Sequence, residues 1–258
     1  MRLRPAVRRL VAATATMLAK AQRRLRPDQV RLKGVGDFVT DLDLRAERGL
    51  RSALRRLLPA AGFLGEESAP HDLDQPWLWV VDPLDGTSNF ARGLPHFAVS
   101  VALLHHGQPQ LACIHCAPEN AIYEAVHTVG AFRRGRRLHQ AAGRLDDGAI
   151  LGCQWLRGQQ ELAFLARLQR RGSRIRTLGS TVTQLADVAV GRLDGNIQQQ
   201  GRIWDIAAAG LVVLAAGGRF TDWSGRPVFP LANLRVEHIP TVAGSPAVHR
   251  GLLRLLRG

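Results

Sequence analysis

Trp79-Val80-Val81-Asp82-Pro83-Leu84-Asp85-Gly86-Thr87 is an apolar run that stops abruptly at two carboxylates, a proline, a glycine and a hydroxyl. The apolar half predicts a buried strand. Its sequel delivers Asp82 and Asp85 to one turn with the Leu84 carbonyl between them. That much hard oxygen in so short a span suits a divalent cation such as Mg²⁺. Taken alone, the same residues also spell an ordinary turn, because Asp, Pro and Gly are turn formers.

Two further acidic stretches bear on the choice. Gly65-Glu66-Glu67-Ser68 follows the apolar Phe63-Leu64, and Trp204-Asp205-Ile206-Ala207-Ala208-Ala209-Gly210 stands at the head of an apolar helix. Singly, the first is a solvated loop and the second an acid in a helix's first turn, where the dipole favours it. Jointly, Glu66, Asp82, Asp85 and Asp205 come from three distant segments. They are enough carboxylates to hold two or more Mg²⁺ ions if the fold brings them together.

With these three stretches the chain resembles the inositol monophosphatase family of Mg²⁺-dependent sugar and polyol phosphatases, whose fingerprints are a GEES-type loop, a DPxDGT turn and a WDxAAG helix start. The likeness extends further. Lys33-Gly34-Val35-Gly36-Asp37-Phe38-Val39-Thr40-Asp41-Leu42-Asp43 is similar to the family's loop between its first two helices. Asn89-Phe90 and Gly93-Leu94-Pro95-His96-Phe97-Ala98-Val99-Ser100 are similar to its route from the turn into the next strand. The motifs keep the family's order from about residue 30 to about residue 250.

The resemblance implies a layered αβαβα sandwich and hydrolysis of a phosphate monoester by a metal-activated water. It implies two to three Mg²⁺ per active site. One is held by Glu66, Asp82 and the Leu84 carbonyl, a second by Asp82, Asp85 and Asp205, and a third, weaker one touches Glu66. Thr87, with Asp43 behind it, matches the pair that orients and deprotonates the water. The backbone N–H groups of Gly86 and Thr87 are expected to cradle phosphate oxygens. Gly179 and Ser180 are placed on the substrate side, and Lys33 is either a support for the phosphate or an exposed loop cation.

Substrate identity is less constrained. Where the family carries a carboxylate that contacts polyol hydroxyls, this chain reads Gln198-Gln199-Gln200-Gly201-Arg202-Ile203-Trp204-Asp205, one residue shorter and without an acid before Asp205. Gln199 can bond a hydroxyl without offering a charged acceptor. Thr181 stands where the family usually has alanine, and Arg202 is a candidate substrate contact or an exposed loop residue. Inositol monophosphate is the first candidate. Histidinol phosphate, fructose 1,6-bisphosphate and a nucleotide 3'-phosphate are alternatives on the same machinery.

Composition fits without demanding this. With 258 residues and 46% hydrophobic content the chain can bury a large core. Three cysteines, two of them flanking His115, argue against a disulfide framework and for a reducing cytoplasm. Arg8-Arg9 and the apolar Leu10 to Ala19 mimic a secretory leader, but Thr14 and Thr16 interrupt them and the pattern of Val7, Leu10, Val11, Leu18 and Leu25 is helical. No apolar run reaches membrane-spanning length.

A net charge of +14 invites a nucleic-acid reading, although a phosphate-handling enzyme also gains from a positive field that draws anions inward. However, the aromatics are few and not interleaved with the arginines, which disfavours a base-stacking platform. A small-molecule phosphate is the expected partner, with a homodimer implied by the resemblance. A regulatory protein that contacts RNA through its arginines is the alternative from another class.

The periodicity predicts helices at 5–25 and 42–58 and strands at 62–65 and 77–82. A hairpin of 98–105 and 110–116 follows, then strands at 121–127 and 130–133. From about 149 the pattern alternates, with strands at 149–153, 174–178, 193–198, 219–222 and 239–243. Helices are predicted at 159–171, 181–191, 204–216 and 246–256. The expected organisation is an α+β part over 1–145 and an α/β part over 146–258 that supplies Asp205.

Overall fold

A computed structural model describes residues 3–25, 30–34, 37–140, 143–145, 148–154 and 158–257. The elements run α1 (Arg4–Gln22), β1 (Val30–Gly34), β2 (Asp37–Thr40), α2 (Asp41–Leu57), β3 (Gly62–Gly65), β4 (Trp77–Asp85) and α3 (Thr87–Ala91). Next come β5 (Ala98–His105), β6 (Gln108–Cys116), β7 (Ala121–Val126), β8 (Gly130–Arg133), β9 (Arg136–Arg137) and β10 (Ile150–Gln154). The chain finishes with α4 (Gln159–Arg170), β11 (Arg174–Arg176), α5 (Thr181–Ala189), β12 (Gly195–Gly201), α6 (Ile203–Ala215), β13 (Arg219–Asp222), β14 (Ile239–Gly244) and α7 (Pro246–Arg257).

Strands β3 to β9 form a seven-stranded sheet in chain order, antiparallel except for the β3–β4 pair. The other large sheet has five strands in the order β11-β10-β12-β14-β13, of which only β14 runs against the rest and pairs antiparallel with both of its neighbours.

Alternation along the strands builds the layers. Trp79, Val81, Val99, Val101 and Cys113 face one way and pack on Val7, Val11 and Leu18 of α1 and Leu50 and Leu54 of α2. Leu78, Val80, Ala102, Leu104 and Ile114 face the other way, onto α5 and α6. The far side of α5 and α6 meets the five-stranded sheet through Phe220 and Ala243, and the back of that sheet packs through Leu151, Ile197 and Val242 on Phe164 of α4 and Val248 and Leu252 of α7. The result is helix, sheet, helix, sheet, helix, the αβαβα sandwich.

Helix α6 occupies the centre, and apolar residues cover its whole circumference, as a helix covered on both faces requires. Gly210 lets it sit close to the second sheet, because a Cβ there would fall 2.8 Å from the Phe220 ring and 2.9 Å from that of Phe229. The three cysteines are buried and unpaired. Burial pushes the Cys153 thiol up to about 12. No described helix is long and apolar enough to cross a membrane.

One segment departs from expectation. The stretch from Lys33 toward Asp43, expected as a loop between the first two helices, contains the antiparallel pair β1–β2, with Val30 opposite Thr40 and Leu32 opposite Phe38. The side chain of Lys33 lies outside the described residues. The short helix α3 after the Asp-Gly-Thr turn was likewise not predicted.

Candidate active site

Strand β4 ends in a bulge. Its pairing with β5 shifts register between Asp82 and Asp85, which admits Pro83 and bends the chain. The Leu84 N–H donates to Asp82 Oδ1 at 2.9 Å and closes the turn. Gly86 then adopts φ 87°, which glycine tolerates, and a Cβ there would collide with the His96 carbonyl at 2.7 Å. Asp82 and Asp85 are thereby both held in the interior, 1% and 7% exposed.

Two helix N-termini point at this turn. At the start of α5, the Val182 and Thr181 N–H groups donate to Asp85 at 2.9 and 3.2 Å, and the Ser180 hydroxyl donates to it as well. Ser180 also caps α5 by accepting from the Thr183 N–H at 3.2 Å. Asn89 ties α3 to the segments that lead into β5 and α5, donating to the carbonyls of His96 and Leu178 at 2.7 Å each. Gly179, with φ 72°, passes so close to Asn89 that a Cβ would lie 2.8 Å from its amide nitrogen. At the start of α6, Asp205 accepts from the Arg202 N–H at 3.0 Å and so caps the helix it belongs to.

These elements bring Asp82, Asp85 and Asp205 together, each with a carboxylate oxygen within 4.8 Å of the others'. Burial lifts the Asp82 carboxyl well above the usual range, reinforced by the negative fields of Glu66, Asp85 and Asp205. Glu66 therefore belongs to the same electrostatic cluster. Burial also raises Asp85, but the donors at the start of α5 oppose it and leave its pKa at about 6.

Thr87 Oγ1 lies 3.1 Å from Asp43 Oδ1 and 2.9 Å from the Leu84 carbonyl, so its proton has two alternative acceptors. Asp43 is 1% exposed. Thr181, singled out for its side chain, is buried and reaches the cluster through its backbone. Arg202 is the N-cap of α6 rather than a loose loop residue, with Nη1 donating to the Glu237 carbonyl at 3.2 Å.

Two residues escaped the sequence reading. Glu47, on the same face of α2 as Asp43 one turn earlier, is 2% exposed and accepts the Glu67 N–H at 2.8 Å, which anchors the Glu66 loop. The i, i+4 spacing from Asp43 was the available signal. Glu161, in the first turn of α4, accepts from Gln199 Nε2 at 3.0 Å. It brings a carboxylate to the residue that was noted for lacking one, and no local pattern announces a pair 38 residues apart.

The residues suit a hard divalent cation. The donors are oxygens throughout, and Asp82 Oδ2 is buried without a hydrogen-bond partner among the described residues. An orphaned carboxylate oxygen, in a cluster whose mutual repulsion lifts its pKa, is a ligand atom in need of positive charge.

The model of the inositol monophosphatase family matches residues 3–257. The chain belongs to the inositol monophosphatase family. Membership makes it a phosphoric monoester hydrolase. Among curated relatives, the inositol-1-monophosphatase of Rhizobium meliloti is 39% identical over 203 residues, covering 76% of each chain. The Nus factor SuhB of Salmonella typhimurium is 35% identical over 239 residues, 90% of this chain and 87% of that one. Among solved structures, the extragenic suppressor protein suhB of Bartonella henselae superposes with a TM-score of 0.88 at 34% identity over 96% of both chains. An IMPase from Thermotoga maritima gives 0.86 at 28% identity, over 98% of this chain and 96% of that one.

Proposed function

We propose that this family member is a Mg²⁺-dependent phosphomonoesterase for a small polyol or sugar phosphate, with inositol monophosphate the first candidate. The convergence of Asp82, Asp85 and Asp205 from two distant segments carries the reading. Glu66, Asp82 and the Leu84 carbonyl would hold one ion; Asp82, Asp85 and Asp205 would hold a second, and Glu66 would touch a third. When bound, such ions neutralise phosphoryl charge and make water easier to ionise.

The chain's own groups do the remainder. Thr87 Oγ1 orients the attacking water, and Asp43 Oδ1, at 3.1 Å, takes up the proton that the hydroxyl relays. The N–H groups of Gly86 and Thr87, at the start of α3, receive phosphate oxygens. Ser180 and the first N–H groups of α5 hold Asp85 in place and favour its ionised form. Gly179 shapes the wall beside them, Lys33 adds positive charge for the phosphate, and Gln199 with Glu161 meets substrate hydroxyls. A cytoplasmic homodimer, and a division of each chain into parts 1–145 and 146–258, complete the proposal.

The test is phosphate release with and without Mg²⁺ from inositol 1-phosphate, histidinol phosphate, fructose 1,6-bisphosphate and adenosine 3',5'-bisphosphate. We expect inositol 1-phosphate to be turned over fastest and Asp85→Asn to abolish the Mg²⁺-dependent signal. Metal-independent release, or full activity in Asp85→Asn, would sink the proposal.

A further inference from the structure

Several arginines of this chain sit against acids. Arg4 and Arg8 face Glu124, Arg133 and Arg192 face Glu119, Arg192 also meets Asp187, and Arg226 meets Asp222. Four others share one hollow that no acid among the described residues lines. Arg144 ahead of β10, Arg171 at the C-terminal end of α4, and Arg250 and Arg254 on α7 line a single cavity of about 430 Å³. None of the four forms an ion pair with a described residue.

Such a grouping needs a physical reason. Arg250 and Arg254 stand one helical turn apart on one face, where like charges destabilise a helix. Arg144 and Arg171 add two more charges around the same hollow. The helix dipoles account for Arg171 at the end of α4 and Arg254 in the last turn of α7, and for neither Arg144 nor Arg250. The cavity is also held in shape. A Cβ on Gly251 would fall 2.9 Å from Leu145 Cδ2, so the glycine lets the segment carrying Arg144 lie directly against α7.

Guanidinium groups bind phosphoryl oxygens in a two-pronged fashion, so one phosphate occupies one or two of them. Four arginines around a compact hollow match a ligand with two or more phosphoryl groups close together. No aromatic side chain is among the described residues that line the cavity, unlike a groove that stacks the bases of a nucleic-acid strand. The site is also separate from the acidic cluster. It belongs to the outer α4/α7 layer, whereas the cluster lies at the starts of α5 and α6 on the other face of the five-stranded sheet. We infer that the cavity between α4 and α7 binds a small molecule bearing a pyrophosphate or triphosphate group.

Calorimetric titration of inorganic tripolyphosphate into metal-free protein tests this, because without cations the acidic cluster repels a polyanion. One ligand per chain is expected. Affinity should fall by about tenfold or more in the double variant R250A/R254A and in R144A/R171A, with Mg²⁺-dependent phosphate release retained in both. The two variants change different elements, so a folding failure in one leaves the other decisive. Unaltered affinity in both folded variants, several weak ligands per chain, or equal binding of sulfate at matched ionic strength overturns the inference. So does an RNA oligonucleotide that binds more tightly than tripolyphosphate and loses affinity in the same variants, since that marks a nucleic-acid surface.

Discussion

The carboxylate of Glu161 accepts a hydrogen bond from the amide of Gln199 at 3.0 Å, across 38 residues of chain. The first turn of α4 thus lends an acid to a strand that has none of its own before Asp205. Each carboxylate oxygen accepts more than one hydrogen bond, so the Glu161 carboxylate can meet a ligand hydroxyl beside Gln199.

Removing the acid should weaken substrate binding without touching the chemistry. For Glu161→Ala we expect KM to rise about tenfold, the worth of one charge-assisted hydrogen bond, with kcat nearly unchanged. Glu161→Gln should recover part of the loss. Steady-state kinetics on inositol 1-phosphate checks both, and an unchanged KM would remove the pair from the substrate site.

In the proposed reaction Thr87 and Asp43 serve the attacking water rather than the substrate hydroxyls. Thr87→Val and Asp43→Asn should each lower kcat by about 10²- to 10³-fold and leave KM and Mg²⁺ affinity within about twofold of normal. Thr87→Ser, which keeps the hydroxyl 3.1 Å from Asp43, should retain most of the rate. Loss of Mg²⁺ affinity in Thr87→Val would mean the residue serves the cation site instead.

Glu47 anchors the Glu66 loop through the Glu67 N–H. Glu47→Ala should weaken apparent Mg²⁺ affinity by about tenfold through loss of that bond and of the buried packing around it. Glu47→Gln keeps an acceptor at the same place and should restore most of it. Titration of activity against Mg²⁺ measures the effect, and equal affinity in Glu47→Ala would refute the anchoring role.

Asp82 gives a pH-dependent prediction. Its folded pKa is raised, so the native state binds this proton more tightly than the unfolded chain does, and stability is lost as pH climbs from the ordinary carboxylate range through the raised value. Asp82→Asn removes that liability and retains an oxygen for the Leu84 N–H. In metal-free protein the variant should melt higher than wild type, by about 2–4 °C for each kcal/mol relieved. The gap should be small near pH 5 and wider at pH 8. Excess Mg²⁺ should stabilise wild type alone, and less so as pH falls through about 6, where Asp85 takes up a proton in competition with the cation. A gap that narrows with rising pH would contradict the electrostatic account.

Much of this was legible because the signals were local. The apolar Ile206 to Val213 behind Asp205 predicts a helix at 204–216, and α6 runs from Ile203 to Ala215. Gly107 marks the turn of the β5–β6 hairpin, and the alternation on either side sets the strands. The β1–β2 pair was not legible, since its strands are short and Lys33-Gly34-Val35-Gly36 carries the composition of a loop. Helix α3 has five residues, too few to show a period. The three acidic stretches were each readable, but that Asp205 reaches Asp82 depends on how α6 seats between two sheets, and no spacing encodes it. The capture of Asp85 by Ser180 and the start of α5 is hidden for the same reason.

The missing side chain at Gly210 ties the acidic cluster to the packing of the middle layer. Helix α6 is a shaft with Asp205 at its tip, and a single methyl group added about a turn farther along would press on Phe220 and Phe229 and swing the tip before the molecule came apart.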